Sequence, residues 1–166
     1  MTQRRYDETG RHMIRKYLGP CVSIADFGCA GQKIRHDAVG YDRDPEAGPD
    51  VLMDLNYLSI IESGLFDGIC MSHFLEHIVD LRRCLKNCRR ILRIGGRIAV
   101  CVPHGEQTCP ETLGDATDTH ENLFTPKTLK LHLMHAGFVD VHAEAYDRPT
   151  AYKQTQGVFA RGERAE

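Results

Sequence analysis

The sequence predicts a three-layer α/β fold with a mostly parallel sheet and an antiparallel hairpin strand at its C-terminal end. Three observations carry this. Short apolar runs alternate with amphipathic stretches through most of the chain, and then two strand-like runs follow one another directly. The first three runs end beside carboxylates, Asp26, Asp42 and Asp54. The first is followed by a sharp turn of small residues, Gly28-Cys29-Ala30-Gly31, which lets a backbone approach a nucleotide-like ligand closely.

The bulk properties bound the answer. A chain of 166 residues is long enough for one domain with a real core, so residues 1–166 are expected to form a single domain. Twenty-one basic against 23 acidic residues leave a net charge of −2, which gives no support for a nucleic-acid partner. No apolar run approaches the roughly 20 residues that span a bilayer, and the opening residues lack the apolar core of a signal peptide. The expectation is a soluble, cytoplasmic protein with no membrane partner. Seven cysteines, at 21, 29, 70, 84, 88, 101 and 109, are odd in number and several fall inside apolar patterns, as buried free thiols do. No Cys-x-x-Cys pair nominates a structural zinc site, and no resident metal is expected.

Taken in order, Thr9 to Leu18 has helical spacing and is stopped by Gly19-Pro20. Strand one follows at Cys21 to Phe27, and the next apolar run, Ala38 to Tyr41, ends in Asp42. Only 11 residues lie from Gly28 to Ala38, fewer than the dozen or more of an ordinary parallel crossover, so the first crossover helix is very short or missing. A Pro/Gly/Asp-rich connection leads into Val51-Leu52-Met53, and Phe66 to Met71 makes a fourth strand. From the N-cap Asp80, Leu81, Cys84, Leu85, Cys88, Ile91 and Leu92 form the stripe of an amphipathic helix, stopped by Gly95-Gly96. Its Arg82, Arg83, Lys86, Arg89, Arg90 and Arg93 read as a solvated polar face. Arg97 to Val102 is a strand closed by Pro103. Residues 104–121 show no periodicity and are too long for a plain connector, which marks a lid or binding loop. Thr125-Pro126 starts a last helix that ends at Gly137, and Phe138 to Ala145 and Gln156 to Ala160 supply two final strands.

In open parallel sheets, ligands bind where strands end, at the switch in strand order. Asp26, Gly28, Asp42, Asp54 and Ser72-His73 are all strand-end residues. Asp42 is placed to accept hydrogen bonds from both hydroxyls of a ribose, and Asp54, beside apolar Leu55, to meet an adenine amino group. A dinucleotide fingerprint fails, because Lys33 stands where its third glycine belongs.

The motifs occur in a fixed order: Asp-x-Gly-Cys-Ala-Gly, Gly40-Tyr41-Asp42, Asp54-Leu55, Phe66-Asp67-Gly68-Ile69, His73-Phe74-Leu75-Glu76-His77-Ile78, Gly95-Gly96, then Phe124-Thr125-Pro126 through Ala136-Gly137-Phe138. In that order they resemble the class I S-adenosylmethionine-dependent methyltransferases, Rossmann-like enzymes, and in particular small ones with a Leu-Glu-His element after the fourth strand. The resemblance covers about residues 21–145. It implies S-adenosyl-L-methionine as cofactor, leaving as S-adenosyl-L-homocysteine. It also implies that Asp26, Gly28, Cys29 and Ala30 form the glycine-rich cofactor loop, that Asp42 binds the ribose, that Asp54 and Leu55 clamp the adenine, and that Ser72 meets the methionyl end. Ala30 stands where the family has glycine, and Ile94 where it has proline. A lysine after the loop, here Lys33, resembles a compact subset with a short first crossover.

The expected function is methyl transfer to a small-molecule acceptor, with His73, His104 and His120 as candidate bases because their unshifted pKa suits that task. Two alternatives stay open. One is a non-catalytic cofactor-binding partner or regulator, motivated by Ala30 and the reduced crossover. The other is a zinc hydrolase, since His73-x-x-Glu76-His77 spells an inverted zinc-protease motif.

Overall fold

A computed structural model describes residues 7–105, 121–149 and 154–166, so Cys109 and the candidate His120 lie outside the described residues. Among these, seven strands form one sheet: β1 (Ile24–Phe27), β2 (Val39–Asp42), β3 (Val51–Leu52), β4 (Phe66–Ser72), β5 (Leu92–Pro103), β6 (Phe138–Pro149) and β7 (Gln154–Arg164). Their order is β3-β2-β1-β4-β5-β7-β6, parallel from β3 through β5, with β7 antiparallel to both β5 and β6. The expected mostly parallel sheet with a C-terminal hairpin is therefore what forms.

Helices α1 (Glu8–Tyr17), α2 (Leu81–Ile91) and α3 (Pro126–His135) cover the sheet from opposite sides. The pleat sorts the strand residues. Ala25, Phe27, Ile69, Met71, Ile98, Val100 and Val102 pack with α2 and α3 in the larger core, while Ile24, Cys70, Ala99 and Cys101 face α1 with Ile14 and Leu18. Small side chains on the α1 face explain part of the cysteine count: Cys21, Cys70 and Cys101 fill a thin layer, buried and unpaired. Among the described residues no helix is long and apolar enough to cross a membrane.

The first crossover has no helix at all. What holds its backbone is polar. Asp26 accepts the amide of Ile34 at 2.5 Å, and the guanidinium of Arg11, only 4% exposed, reaches from α1 to donate to the carbonyls of Gln32 (2.8 Å) and Lys33 (2.9 Å). Helix α1 thus does with side-chain bonds what a crossover helix would do with packing.

Two sequence expectations are corrected. Helix α2 ends at Ile91, before Gly95-Gly96, and β5 starts at once, because Leu92 pairs with Phe66 and Arg164 donates to the carbonyls of Arg90 and Leu92. The arginines of α2 are also not simply a solvated face. Arg89 donates to the carbonyl of Gly137 and Arg90 to those of Leu58 and Ile61, tying two connections to the helix, while Arg93, at the start of β5, donates to that of Gly64. The helix starts do match their sequence signals: Asp80 accepts from Arg83 N–H, and Thr125 forms a capping box with Thr128.

Candidate active site

The strand order reverses between β1 and β4, and there the ends of β1 to β4 open into a cleft of 1090 Å³. Gly28 and Ala30 line it from β1, Asp42 to Pro45 from β2, Asp54 to Asn56 from β3, and His73, Phe74 and His77 to Val79 from the chain after β4, with Glu121 at the rim.

The loop after β1 needs its small residues. Gly28 (φ +74°), Ala30 (φ +48°) and Gly31 (φ +80°) are all left-handed, a region costly for side chains. A Cβ on Gly31 would sit 2.9 Å from the carbonyl oxygen of Ala47, and one on Gly28 would strike the ring of Phe74 at 2.6 Å. The turn is tied to β2 by Gly28 N–H and Cys29 N–H on the carbonyl of Tyr41, and by Ala30 N–H on Oδ2 of Asp42 at 2.8 Å. The other oxygen of Asp42 accepts Asp44 N–H at 3.0 Å. Two amides fix this carboxylate in place while its remaining lone pairs stay open to hydroxyl donors. Asp54 is held similarly, its Oδ1 accepting both nitrogens of Asn56 at 2.9 Å.

At the other end, His73 stands in a left-handed conformation (φ +53°), its amide on the carbonyl of Cys101. Its Nε2 lies 3.1 Å from Oδ2 of Asp7 and its Nδ1 3.3 Å from Oε1 of Glu76. Asp7 is the N-cap of α1, taking Gly10 N–H on Oδ1 and the hydroxyl of Tyr146 on Oδ2. Burial alone would push its carboxyl up, but His73, Tyr146 and Gly10 together hold it down at about 2.

The structure distributes the expected site residues unevenly. Gly28, Ala30, Asp42, Asp54, Leu55 and His73 line the cleft. Asp26 and Cys29 are 2% and 3% exposed and lie beneath the turn, where burial pushes both groups up. Ser72 sits behind His73 and accepts from the thiol of Cys101, and His104 is buried in a bridge with Phe124. Sequence reasoning missed Asp7, Arg11, Phe74 and Tyr146. For two of these a signal existed: Asp7 before Glu8-Thr9-Gly10 is a cap residue, and Arg11 interrupts the apolar stripe of Ile14 and Leu18.

The metal reading does not fit. His73 to His77 is not a helix but a left-handed residue followed by a single 3-10 turn (Leu75–His77), so the i, i+4 helical spacing that the motif needs is lost. Among the described residues no group of three or more His, Cys, Asp or Glu side chains is placed to hold a metal ion. The chemistry of the cleft does suit an adenosine: Asp42 and Asp54 are fixed carboxylates that only accept, as partners of hydroxyl and amino donors must, and apolar Leu55 and Ile78 line the same cleft.

Residues 11–143 match a family model described as a methyltransferase domain. A comparison with curated protein sequences gives no match. Among solved structures, a methyltransferase from Archaeoglobus fulgidus described as SAM-dependent superposes with a TM-score of 0.74 at 18% identity, covering 96% of this chain and 95% of that one. A Thermotoga maritima protein described as a SAM-dependent methyltransferase, possibly a histamine N-methyltransferase, gives 0.75 at 17% identity over 96% and 90%. The 1,6-didemethyltoxoflavin N1-methyltransferase of Burkholderia thailandensis, solved with its substrate and S-adenosylhomocysteine, gives 0.73 at 15% identity over 99% and 80%.

Proposed function

The chain belongs to the methyltransferase-domain family of the class I, S-adenosylmethionine-dependent fold, and from that membership we propose that it moves a methyl group from S-adenosyl-L-methionine to a small-molecule acceptor. The observation that carries the residue-level reading is the pair Asp42 and Asp54, two backbone-fixed carboxylates on one cleft wall at the ends of adjacent strands. Asp42 takes the ribose hydroxyls, Asp54 with Leu55 takes the adenine, and the left-handed Gly28 and Ala30 let the backbone come close. Asp26, Cys29 and Ser72 serve from behind, Asp26 by holding the crossover through Ile34.

Bound there, the cofactor supplies a sulfonium methyl that is already electrophilic, so the chain need supply no nucleophile. Its own contribution is alignment and exclusion of water. Phe74 against Gly28, with Ile78 and Val79, closes an apolar side over the cleft. Of the three candidate histidines, His73 is the described one that faces it. A cytoplasmic location goes with this reading, supported by six buried unpaired cysteines among the described residues.

Calorimetry with S-adenosylhomocysteine tests the site. Binding to the wild-type chain that Asp42→Ala abolishes is the expected result; no binding, or equal binding by both, overturns the assignment. Transfer of labelled methyl from the cofactor to small molecules of a cell extract then tests catalysis. Tight cofactor binding without any transfer would favour the non-catalytic alternative.

A further inference from the structure

We propose that Asp7 is a positioning residue of this site: with Glu76 it fixes the ring of His73 at the cleft as an imidazolium, so that His73 faces the acceptor as a held cation and not as a base. The proposal rests on the methyltransferase reading for its consequence, but its geometry stands without it.

Nε2 of His73 is 3.1 Å from a carboxylate oxygen of Asp7 and Nδ1 is 3.3 Å from one of Glu76. A neutral imidazole has one N–H and one lone pair, and a lone pair turned toward a carboxylate is repelled by it. Two ionised carboxylates at these distances are satisfied together only when both nitrogens carry hydrogen, Asp7 through a hydrogen bond and Glu76, whose Oε2 is buried without a hydrogen-bond partner among the described residues, through an ion pair. In that state the ring has no lone pair with which to take a proton from an acceptor.

The carboxylates are built to stay. The side chain of Asp7 is 0% exposed and that of Glu76 2% exposed, so neither swings out to water. Asp7 is anchored by Gly10 N–H and the hydroxyl of Tyr146 as well as by His73. Glu76 is anchored through its backbone, whose carbonyl accepts the amides of Glu121 and Asn122. The ring itself is held by a left-handed backbone at φ +53°, a conformation that costs a non-glycine residue about 1 kcal/mol or more and persists only where its surroundings impose it. Among the described residues, the polar and titratable groups around this trio include Asp7 from the cap of α1, Glu76 from the 3-10 turn, the Tyr146 hydroxyl from β6, and Ser72 and the Cys101 thiol from β4 and β5. Burial raises that thiol to about 12, so it stays neutral and adds no charge.

The test follows the ring protons of His73 by NMR against pH in the wild-type chain, in Asp7→Asn and in Glu76→Gln. Asparagine still caps α1, since its side-chain oxygen accepts Gly10 N–H, but it removes the charge opposite Nε2. The expected result is that His73 releases its second proton at a pH lower by about one unit or more in each variant than in wild type. Identical titration in all three overturns the proposal. These spectra need no cofactor, so their outcome is independent of the calorimetry that tests the methyltransferase site. With turnover in hand, the sign of the pH profile decides the role. A rate that falls as wild-type His73 loses its proton, with the fall moved to lower pH in Asp7→Asn, supports a held cation; a rate that rises through the same titration makes His73 the base and overturns it.

Discussion

Ala30 donates its backbone amide to Oδ2 of Asp42 at 2.8 Å while standing at a left-handed φ of +48°. The residue that departs from the family's glycine therefore keeps a glycine-like conformation, and the carboxylate proposed for the ribose bonds to it there. The turn after β1 and the carboxylate of Asp42 are one unit.

Ala30→Gly relieves a strain of roughly 1–2 kcal/mol but returns about 0.5–1 kcal/mol as entropy of the unfolded chain. The expected outcome is a chain as stable as wild type or more so, with Tm raised by no more than about 6 °C and cofactor affinity kept or slightly raised. Ala30→Val, β-branched at the same φ, should lower Tm and weaken binding. Thermal unfolding and calorimetry on both variants check it. A destabilised Ala30→Gly would show that the methyl group of Ala30 makes a contact worth more than the strain.

Asp42→Asn keeps one acceptor oxygen of two, so only one of the amides of Ala30 and Asp44 remains satisfied. Bonds to a charged group are worth about 1.5–3 kcal/mol each, and 1.4 kcal/mol is tenfold in affinity. Affinity for S-adenosylhomocysteine should fall by about tenfold to a hundredfold. Helix and strand content by circular dichroism should stay unchanged, because Asp42 is only half-buried and outside the core.

The layers of this fold were legible because they rest on periodicity. The stripe Leu81, Cys84, Leu85, Cys88 and Ile91 on α2, the run of β1, and the apolar runs Ile69–Met71 of β4 and Ile98–Val102 of β5 are buried as their spacing predicts. The cleft wall that carries Asp42 and Asp54 was legible because both end short strands, and strand ends meet at the switch point. The opposite wall was not. Asp7 and His73 are 66 residues apart, and Tyr146 is 139 residues from Asp7, so nothing in local spacing announces their contact. Asp26 shows the converse: the sequence marked a carboxylate at a strand end but not which way the pleat turns it, and it points beneath the loop toward Ile34.

Arg11→Met tests whether α1 stands in for the absent crossover helix. Methionine keeps most of the buried volume but leaves the carbonyls of Gln32 and Lys33 without their donor. Losing two bonds to a charged group should cost about 3–6 kcal/mol, a drop in Tm of roughly 6–24 °C for a domain of this size. Hydrogen exchange should quicken through residues 28–38 more than in β4 or β5, with cofactor affinity falling alongside. Uniform loss of protection across the sheet would instead make Arg11 a general core residue.

Acid stability separates two buried aspartates by sign. The carboxyl of Asp7 is held at about 2 against an ordinary 3.8, so the unfolded chain binds this proton more readily than the folded one. Its contribution, on the order of 2 kcal/mol, is complete above pH 4 and is lost as pH falls toward 2. Asp26 runs the other way: burial raises its carboxyl, the folded chain binds its proton more readily, and the stability it lends at low pH is lost as pH rises through its folded titration. Urea unfolding from pH 2 to 7 on the wild-type chain, Asp7→Asn and Asp26→Asn reads both. The wild-type advantage over Asp7→Asn should shrink below pH 4, while its standing relative to Asp26→Asn should worsen above it. A wild-type to Asp7→Asn difference that stays flat down to pH 2 would mean that the carboxylate of Asp7 does not carry the charge that the His73 bond requires.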